Sequence, residues 1–285
     1  MFGVASLDLP LAAVLALNAR SELTLTGNTP RPECTVLAVA PEAGADGRTW
    51  LAQNWDWMGR QRDAMVLLTI RQPGRPSLVM VTEAGLVGKV GLNEAGVGVC
   101  LNALFVPEVR TGVPVHVVLR GILNSSSLTA AVAAVTRMGV AGSANFLIGD
   151  DQGEVVDLET LPSVCVPLHP ADGLLVHTNH LLGPHDLLVD RGLQALPDSV
   201  VRFGRARRLL TLRRARQGKL NLRDIQAVLA DHAGYPSSIC RHPDPEREEM
   251  FRLETVCSLL MNLQERKLFV AFGNPCVTPY TEYGI

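Results

Sequence analysis

The feature that most limits the fold of this chain is a run of short, near-continuously apolar segments separated by tight turn signals. CTVLAVA (34–40), TWLAQNWDW (49–57), AMVLLTI (64–70), SLVMVTE (77–83), KVGLN (89–93) and VGVCLNALF (97–105) all read as strands. A Pro-Gly-Arg-Pro turn joins the third to the fourth, and Glu94-Ala95-Gly96 joins the fifth to the sixth, so both pairs are expected as hairpins. Strands this apolar lack a wet face and need cover on both sides. Helices expected over about 114–123 and 127–138, the second opened by capping serines, would supply it. More strands are expected at 145–150, 154–159, 163–168 and 174–178, then helices at 200–217 and 221–231, with Asn221 and Asp224 spaced as a cap. Two last strands, at 254–262 and 267–272, finish the chain. Strands, helix pair, strands, helix pair and strands define an α+β domain of sheets held between helical layers.

Ahead of these strands lies a different kind of sequence. Residues 7–25 read as one helix with Pro10 in its first turn, and Gly27-Asn28-Thr29-Pro30-Arg31-Pro32 then breaks the chain. This linker ends directly at Glu33-Cys34 and divides a leading segment, 1–33, from a single domain, 34–285. The opening residues are apolar but carry Asp8 and no basic leading region, which argues against a secretory signal. No apolar run approaches the ~20 residues of a membrane span. A hydrophobic fraction of 47% against 19% charged residues supplies a core and excludes a disordered chain. A net charge of −2 gives no electrostatic reason to expect nucleic acid or an anionic membrane. The arginines between 205 and 216 read as a solvated helix face. Six cysteines, at 34, 100, 165, 240, 257 and 276, show no C-x-x-C spacing and no disulfide framework, which fits a reducing cytoplasm.

Chemistry is expected where the linker meets the first strand. If the bond before Cys34 were cut, the new α-amine, with a pKa of about 7.7–8.0, would lie within reach of its own thiol. One residue would then supply nucleophile and base. Asp56, on the neighbouring strand, is either a water-facing strand-end group or a buried carboxylate that needs donors such as an ammonium. Asn102 and Asn179 are polar residues inside apolar strand patterns, able to donate to an oxyanion or to satisfy a strand end. Arg241 could hold Asp56 or a substrate carboxylate. His177, His180 and His185 lack a metal-binding order, and Gly85 to Val90 lacks the spacing of a phosphate loop. Neither a metal nor a cofactor is therefore expected.

These residues resemble a known family. Glu33-Cys34-Thr35, Gln53-Asn-Trp-Asp-Trp57, Gly91-Leu-Asn93 with Gly96-Val-Gly-Val-Cys-Leu-Asn102, His177-Thr-Asn-His180 and Tyr235-Pro-Ser-Ser-Ile-Cys-Arg241 are similar, in that order, to the acyl-coenzyme A:6-aminopenicillanate acyltransferase family. That family stands beside the bile-salt and penicillin V hydrolases. The resemblance implies a four-layer αββα sandwich of the N-terminal-nucleophile hydrolase type, and a precursor that cuts itself before the cysteine. It implies Cys34 as nucleophile, Asp56 as the holder of the freed amine, Asn179 as a lining residue and Asn102 as part of the oxyanion hole. Arg241 corresponds to an arginine of the bile-salt branch. Two positions depart from the pattern: Glu33 replaces the glycine that precedes the cut in the penicillin enzyme, and Gln53 replaces an arginine of bile-salt hydrolases. The second departure argues against bile acids as substrates. The leading segment is also short for the acyltransferase group, which leaves open a start upstream of Met1.

The expected activity is cleavage or transfer of an acyl group from a small linear amide or acyl-coenzyme A through a Cys34 thioester. Hydrolysis is favoured because water needs no second binding site. The oligomeric state is open, and a self-cut chain could remain as a heterodimer of its own two fragments. Two rivals stand beside this reading: a Cys–His hydrolase using His177 or His180 without cleavage, and a non-catalytic descendant that binds an acyl compound.

Overall fold

The computed structural model describes residues 10–24, 33–106, 108–184 and 190–285. Two antiparallel sheets lie face to face, with β1 (Glu33–Val39) and β2 (Trp50–Met58) of one against β6 (Gly98–Ala103) and β7 (Ala144–Gly149) of the other. The second sheet follows chain order from β3 (Met65–Ile70) and β4 (Leu78–Glu83) through β5 (Val90–Asn93), β6, β7 and β8 (Val155–Thr160) to β9 (Cys165–Leu168). The first is less local. It runs β10 (Leu174–His177), β1, β2, β11 (Leu253–Asn262), β12 (Lys267–Ala271) and β13 (Thr281–Gly284).

Period-two alternation explains the layers. On β1 and β2 the inward residues Val36, Ala38, Leu51 and Trp55 join Val99, Leu101, Phe146 and Ile148 in the core between the sheets. Their outward neighbours Leu37, Val39 and Ala52 meet Ala206 and Leu210 of α6 (Asp198–Gln217) and Ile225 and Val228 of α7 (Leu222–Leu229). The far face of the second sheet packs on α3 (Val115–Leu123) and α4 (Leu128–Thr136). The result is the expected αββα sandwich. Its helix starts follow the sequence: Ser127 accepts the Ala130 N–H, and Asn221 and Asp224 form a reciprocal capping box.

Three elements differ from expectation. The leading helix divides into α1 (Leu11–Asn18) and α2 (Arg20–Thr24), because Asn18 is drawn onto the β4–β5 link. Its amide donates to the Gly85 carbonyl at 3.0 Å and its oxygen accepts the Val87 N–H at 2.9 Å. Residues 7–9, residue 25 and the 27–32 linker lie outside the described residues. The short α5 (Arg191–Ala195) and the edge strand β13 were not expected. β13 has no apolar pattern and is held by backbone pairing to β12.

α3 lies unusually close to the second sheet at Gly88, where an added Cβ would come within 2.4 Å of both the His116 oxygen and the Arg120 nitrogen. Gly88→Ala in the Cys34→Ala background should therefore cost about 1–3 kcal/mol in chemical denaturation. An unchanged midpoint would show that α3 shifts freely.

Candidate active site

Antiparallel pairing sets Glu33 opposite Asp56 and Cys34 opposite Trp55. Alternation then sends these two neighbouring residues to opposite faces of the sheet. Cys34 points with Gln53 and Trp55 into the space between the sheets, and Glu33 points toward α6.

On the thiol side, Gln53 Nε2 donates to Cys34 Sγ at 3.3 Å. The same side chain donates to the Leu101 carbonyl and accepts the Leu101 N–H, both at 2.9 Å, clamping β2 to β6 beneath the sulfur. The Lys89 ammonium lies 4.5 Å from the Trp55 ring centre, and burial pushes it down to about 8 against the pull of Glu83. Burial also pushes the Cys34 thiol up to about 12; the Asp56 charge adds to this, while Lys89, Arg202 and Gln53 oppose it. The thiol is therefore protonated at neutral pH.

The hollow above this thiol holds only about 50 Å³. That admits a few waters, whereas small-molecule sites run from about 300 Å³ upward. Arg20 and Ser21 of α2 form part of its wall. Glu22 fixes α2 there by accepting the Val115 N–H at 2.8 Å, at the start of α3. Ser21 Oγ meets His116 Nε2 at 3.2 Å, and Arg20 pairs with Glu83. A roomier hollow of about 700 Å³ lies beside β10 and α6, away from Cys34, Gln53 and Lys89.

On the other face is a buried charge cluster. Arg202 donates to Glu33 and, through Nε, to Asp198, each at 2.9 Å. It also donates to the Cys34 carbonyl at 2.9 Å and to Asn179 Oδ1 at 3.1 Å. Arg241 pairs with Glu33 and Asp198, and its Nε lies 3.8 Å from Asp56 Oδ2. Thr255 donates to Asp56 Oδ1 at 2.7 Å, whereas Asp56 Oδ2 receives no hydrogen bond among the described residues. Burial pushes Asp56 up to about 6 against Arg241, Arg202 and the Thr255 bond. Glu33 is likewise raised by burial, against the pull of Arg241 and Arg202.

The five residues singled out from sequence thus meet around Glu33 and Cys34. The Cys34 N–H donates to Asn179 Oδ1 at 3.0 Å, and Asn102 Nδ2 donates to the Cys34 carbonyl at 3.3 Å. The Asn179 amide is directed to the Ala103 carbonyl at 3.1 Å, so in this continuous chain it donates to the scaffold. His177 is bonded to Glu159 and the Thr178 carbonyl, both at 2.8 Å, and His180 to Ser199 at 2.8 Å. Neither bonds the thiol among the described residues, and His185 lies outside them. Sequence reasoning missed Arg202, Asp198 and Lys89 as site residues. Arg202 had a readable signal: it shares the buried face of α6 with Ser199, Ala206 and Leu210, where a guanidinium needs a buried carboxylate.

Residues 43–276 match the family described as acyl-coenzyme A:6-aminopenicillanic acid acyl-transferase. The chain belongs to that family. A relative from Emericella nidulans, the 40 kDa form of acyl-coenzyme A:6-aminopenicillanic-acid-acyltransferase, is 35% identical over 269 residues, covering 93% of this chain and 71% of the relative. Among solved structures, a conjugated bile acid hydrolase from Clostridium perfringens aligns with a TM-score of 0.62 at 15% identity, covering 88% of this chain and 97% of that one. Penicillin V acylase from Agrobacterium tumefaciens gives 0.55 at 14% identity, covering 88% and 86%. These two likenesses establish the fold that the acyl-transferase family member shares with N-terminal-nucleophile hydrolases. No helix among its described residues is long and apolar enough to cross a membrane.

The raised Asp56 makes a stability prediction with a definite sign. Its folded value of about 6 exceeds the ordinary carboxylate value, so the folded chain holds the proton more tightly and this group's contribution falls as pH rises between the two. In the Cys34→Ala chain, Asp56→Asn should raise Tm by about 5 °C at pH 8 and by about half as much at pH 5. Calorimetry at both values checks this; a difference that does not change with pH would contradict it.

Proposed function

We propose that this chain is the precursor of a cysteine amidohydrolase or acyltransferase, activated by cleavage of its own Glu33–Cys34 bond. The observation that carries the reading is Asp56 Oδ2. It is a fully buried carboxylate oxygen without a hydrogen-bond donor among the described residues, on the residue paired with Glu33 beside the Cys34 amide. An ammonium at Cys34 would supply the missing donor.

In the first step, Cys34 Sγ attacks the Glu33 carbonyl carbon. The C–N bond breaks and the departing nitrogen takes the proton, leaving a thioester and a free α-amine. Water hydrolyses this thioester, giving the Glu33 carboxylate and the Cys34 thiol. In each later turnover the α-amine takes the thiol proton, and sulfur attacks the carbonyl of a small linear amide or acyl thioester. The leaving amine or thiol departs protonated, and water or an acceptor amine releases the acyl group. Lys89 and Gln53 stabilise the thiolate, and Asn179 and the backbone near Asn102 supply oxyanion donors once the strand end is free to adjust. Water as acceptor makes the enzyme a hydrolase. Its six free thiols fit a reducing compartment.

The leading segment then acts as a plug as well as a leader. Release of residues 1–33 would remove Arg20 and Ser21 from the wall of the thiol pocket. Neither histidine approaches the sulfur by hydrogen bonding, so the Cys–His rival gains no support from the geometry.

Intact mass under denaturing conditions, for the wild type beside Cys34→Ala, tests the reading. The expected result is two wild-type fragments divided at Glu33–Cys34 and a single uncut variant. A wild type that stays whole, together with a chain beginning at Cys34 that shows no amidase or acyltransferase activity, would favour a non-catalytic acyl-binding protein instead.

A further inference from the structure

Behind the buried charge cluster, four side chains that the proposed reaction does not use converge on one point. They are His232, in the turn after α7; Cys240 and His242, on the segment leading to β11; and Cys276, in the turn after β12. Their ligand atoms all lie within 4.8 Å of one another. His242 Nε2 lies 3.7 Å from Cys240 Sγ, 3.6 Å from Cys276 Sγ and 3.0 Å from His232 Nε2.

These separations match the edges of a small tetrahedron. Zinc bonds of about 2.3 Å to sulfur and 2.0–2.1 Å to nitrogen imply edges of about 3.5 Å between sulfur and nitrogen and about 3.3 Å between nitrogens. Two thiols and two imidazoles are also the donor set that zinc favours over harder cations. We propose that His232, Cys240, His242 and Cys276 bind one Zn²⁺ as a closed, four-coordinate structural site.

The placement gives the site a purpose. Arg241 lies between two of the ligands, and its guanidinium reaches Glu33 and Asp198. Its backbone exchanges hydrogen bonds with Thr255, the residue that also holds Asp56. Asn274 donates to the Arg241 carbonyl at 2.6 Å and to Cys240 Sγ at 3.6 Å, as an outer-shell group would. A metal here would fix the loop that aims Arg241, making Arg241 a positioned residue rather than one on a free loop. Binding releases both thiol protons. The ligands come from three separate segments, which explains why no C-x-x-C spacing announced them.

The test uses the full chain, purified under reducing conditions, with zinc per chain measured by elemental mass spectrometry. The expected content is about one zinc, lost at least tenfold in Cys276→Ser and retained in Cys165→Ser, whose cysteine lies outside the cluster. Should Cys276→Ser fail to fold, the chelator-stripped wild type titrated with Co²⁺ should take up one equivalent with thiolate-to-cobalt charge-transfer absorption. Absence of stoichiometric zinc together with no cobalt–thiolate absorption would overturn the site. So would a loss of two mass units with Cys240 and Cys276 joined as a disulfide. The outcome does not depend on whether the Glu33–Cys34 bond is cut.

Discussion

Three carboxyl groups and two guanidiniums share one space behind β1, and the rest of the site depends on how they divide the charge. Glu33 and Asp56, both buried, and the partly exposed Asp198 face Arg202 and Arg241. Charges buried this deeply are tolerable only when partnered, and burial pushes Glu33 up to about 8, so the third carboxyl is held mainly as the neutral acid at neutral pH. Under the proposed cleavage, Glu33 leaves with the leading segment and an amine appears at Cys34. Asp56 and Asp198 then face Arg202 and Arg241 one for one, and Asp56 Oδ2 keeps a place for the new amine. The same rearrangement would thus equip the enzyme.

The two faces of β1 divide the work. The outward face carries the charges that hold the Glu33–Cys34 peptide, and the inward face carries a thiol kept protonated and covered. Both depend on neighbouring segments. α2, pinned to α3 through Glu22, closes the thiol pocket, while the loop carrying Arg241 completes the charge cluster. A zinc ion bound beside Arg241 would make that loop a rigid support for the site instead of a surface feature.

Much of this was legible in the sequence, for physical reasons. Apolar runs with no wet face required two covered sheets, and turn residues such as Glu94-Ala95-Gly96 set the hairpins. The abrupt change at Glu33-Cys34 marked the start of β1, and polar residues inside apolar strands marked Asp56, Asn102 and Asn179 as buried groups that need partners. What stayed hidden depends on tertiary placement. Arg202 shares a helix face with Ala206 and Leu210, but its carboxylate partners come into reach only when α6 docks against β1. Lys89 becomes a pocket residue only when its strand meets Trp55, and Asn18 breaks the leading helix only because the β4–β5 link offers it two backbone partners. β13 carries no apolar alternation, and it is held by backbone pairing to β12, the Lys267–Glu282 ion pair and the half-buried Tyr283.

The central claim is that the Cys34 thiol of the continuous chain is covered and protonated, open only to its own neighbouring carbonyl, and is made reactive toward outside molecules by its own freed amine. Mass-resolved alkylation of Cys34 by iodoacetamide at pH 8 tests it directly, comparing the chain that begins at Cys34 with an uncut chain that retains the thiol. A thiol near 12 is about one part in ten thousand thiolate at that pH, and a free cysteine about one quarter. The account therefore predicts alkylation about a thousandfold or more faster once residues 1–33 are gone. Equal rates in the two chains would contradict it.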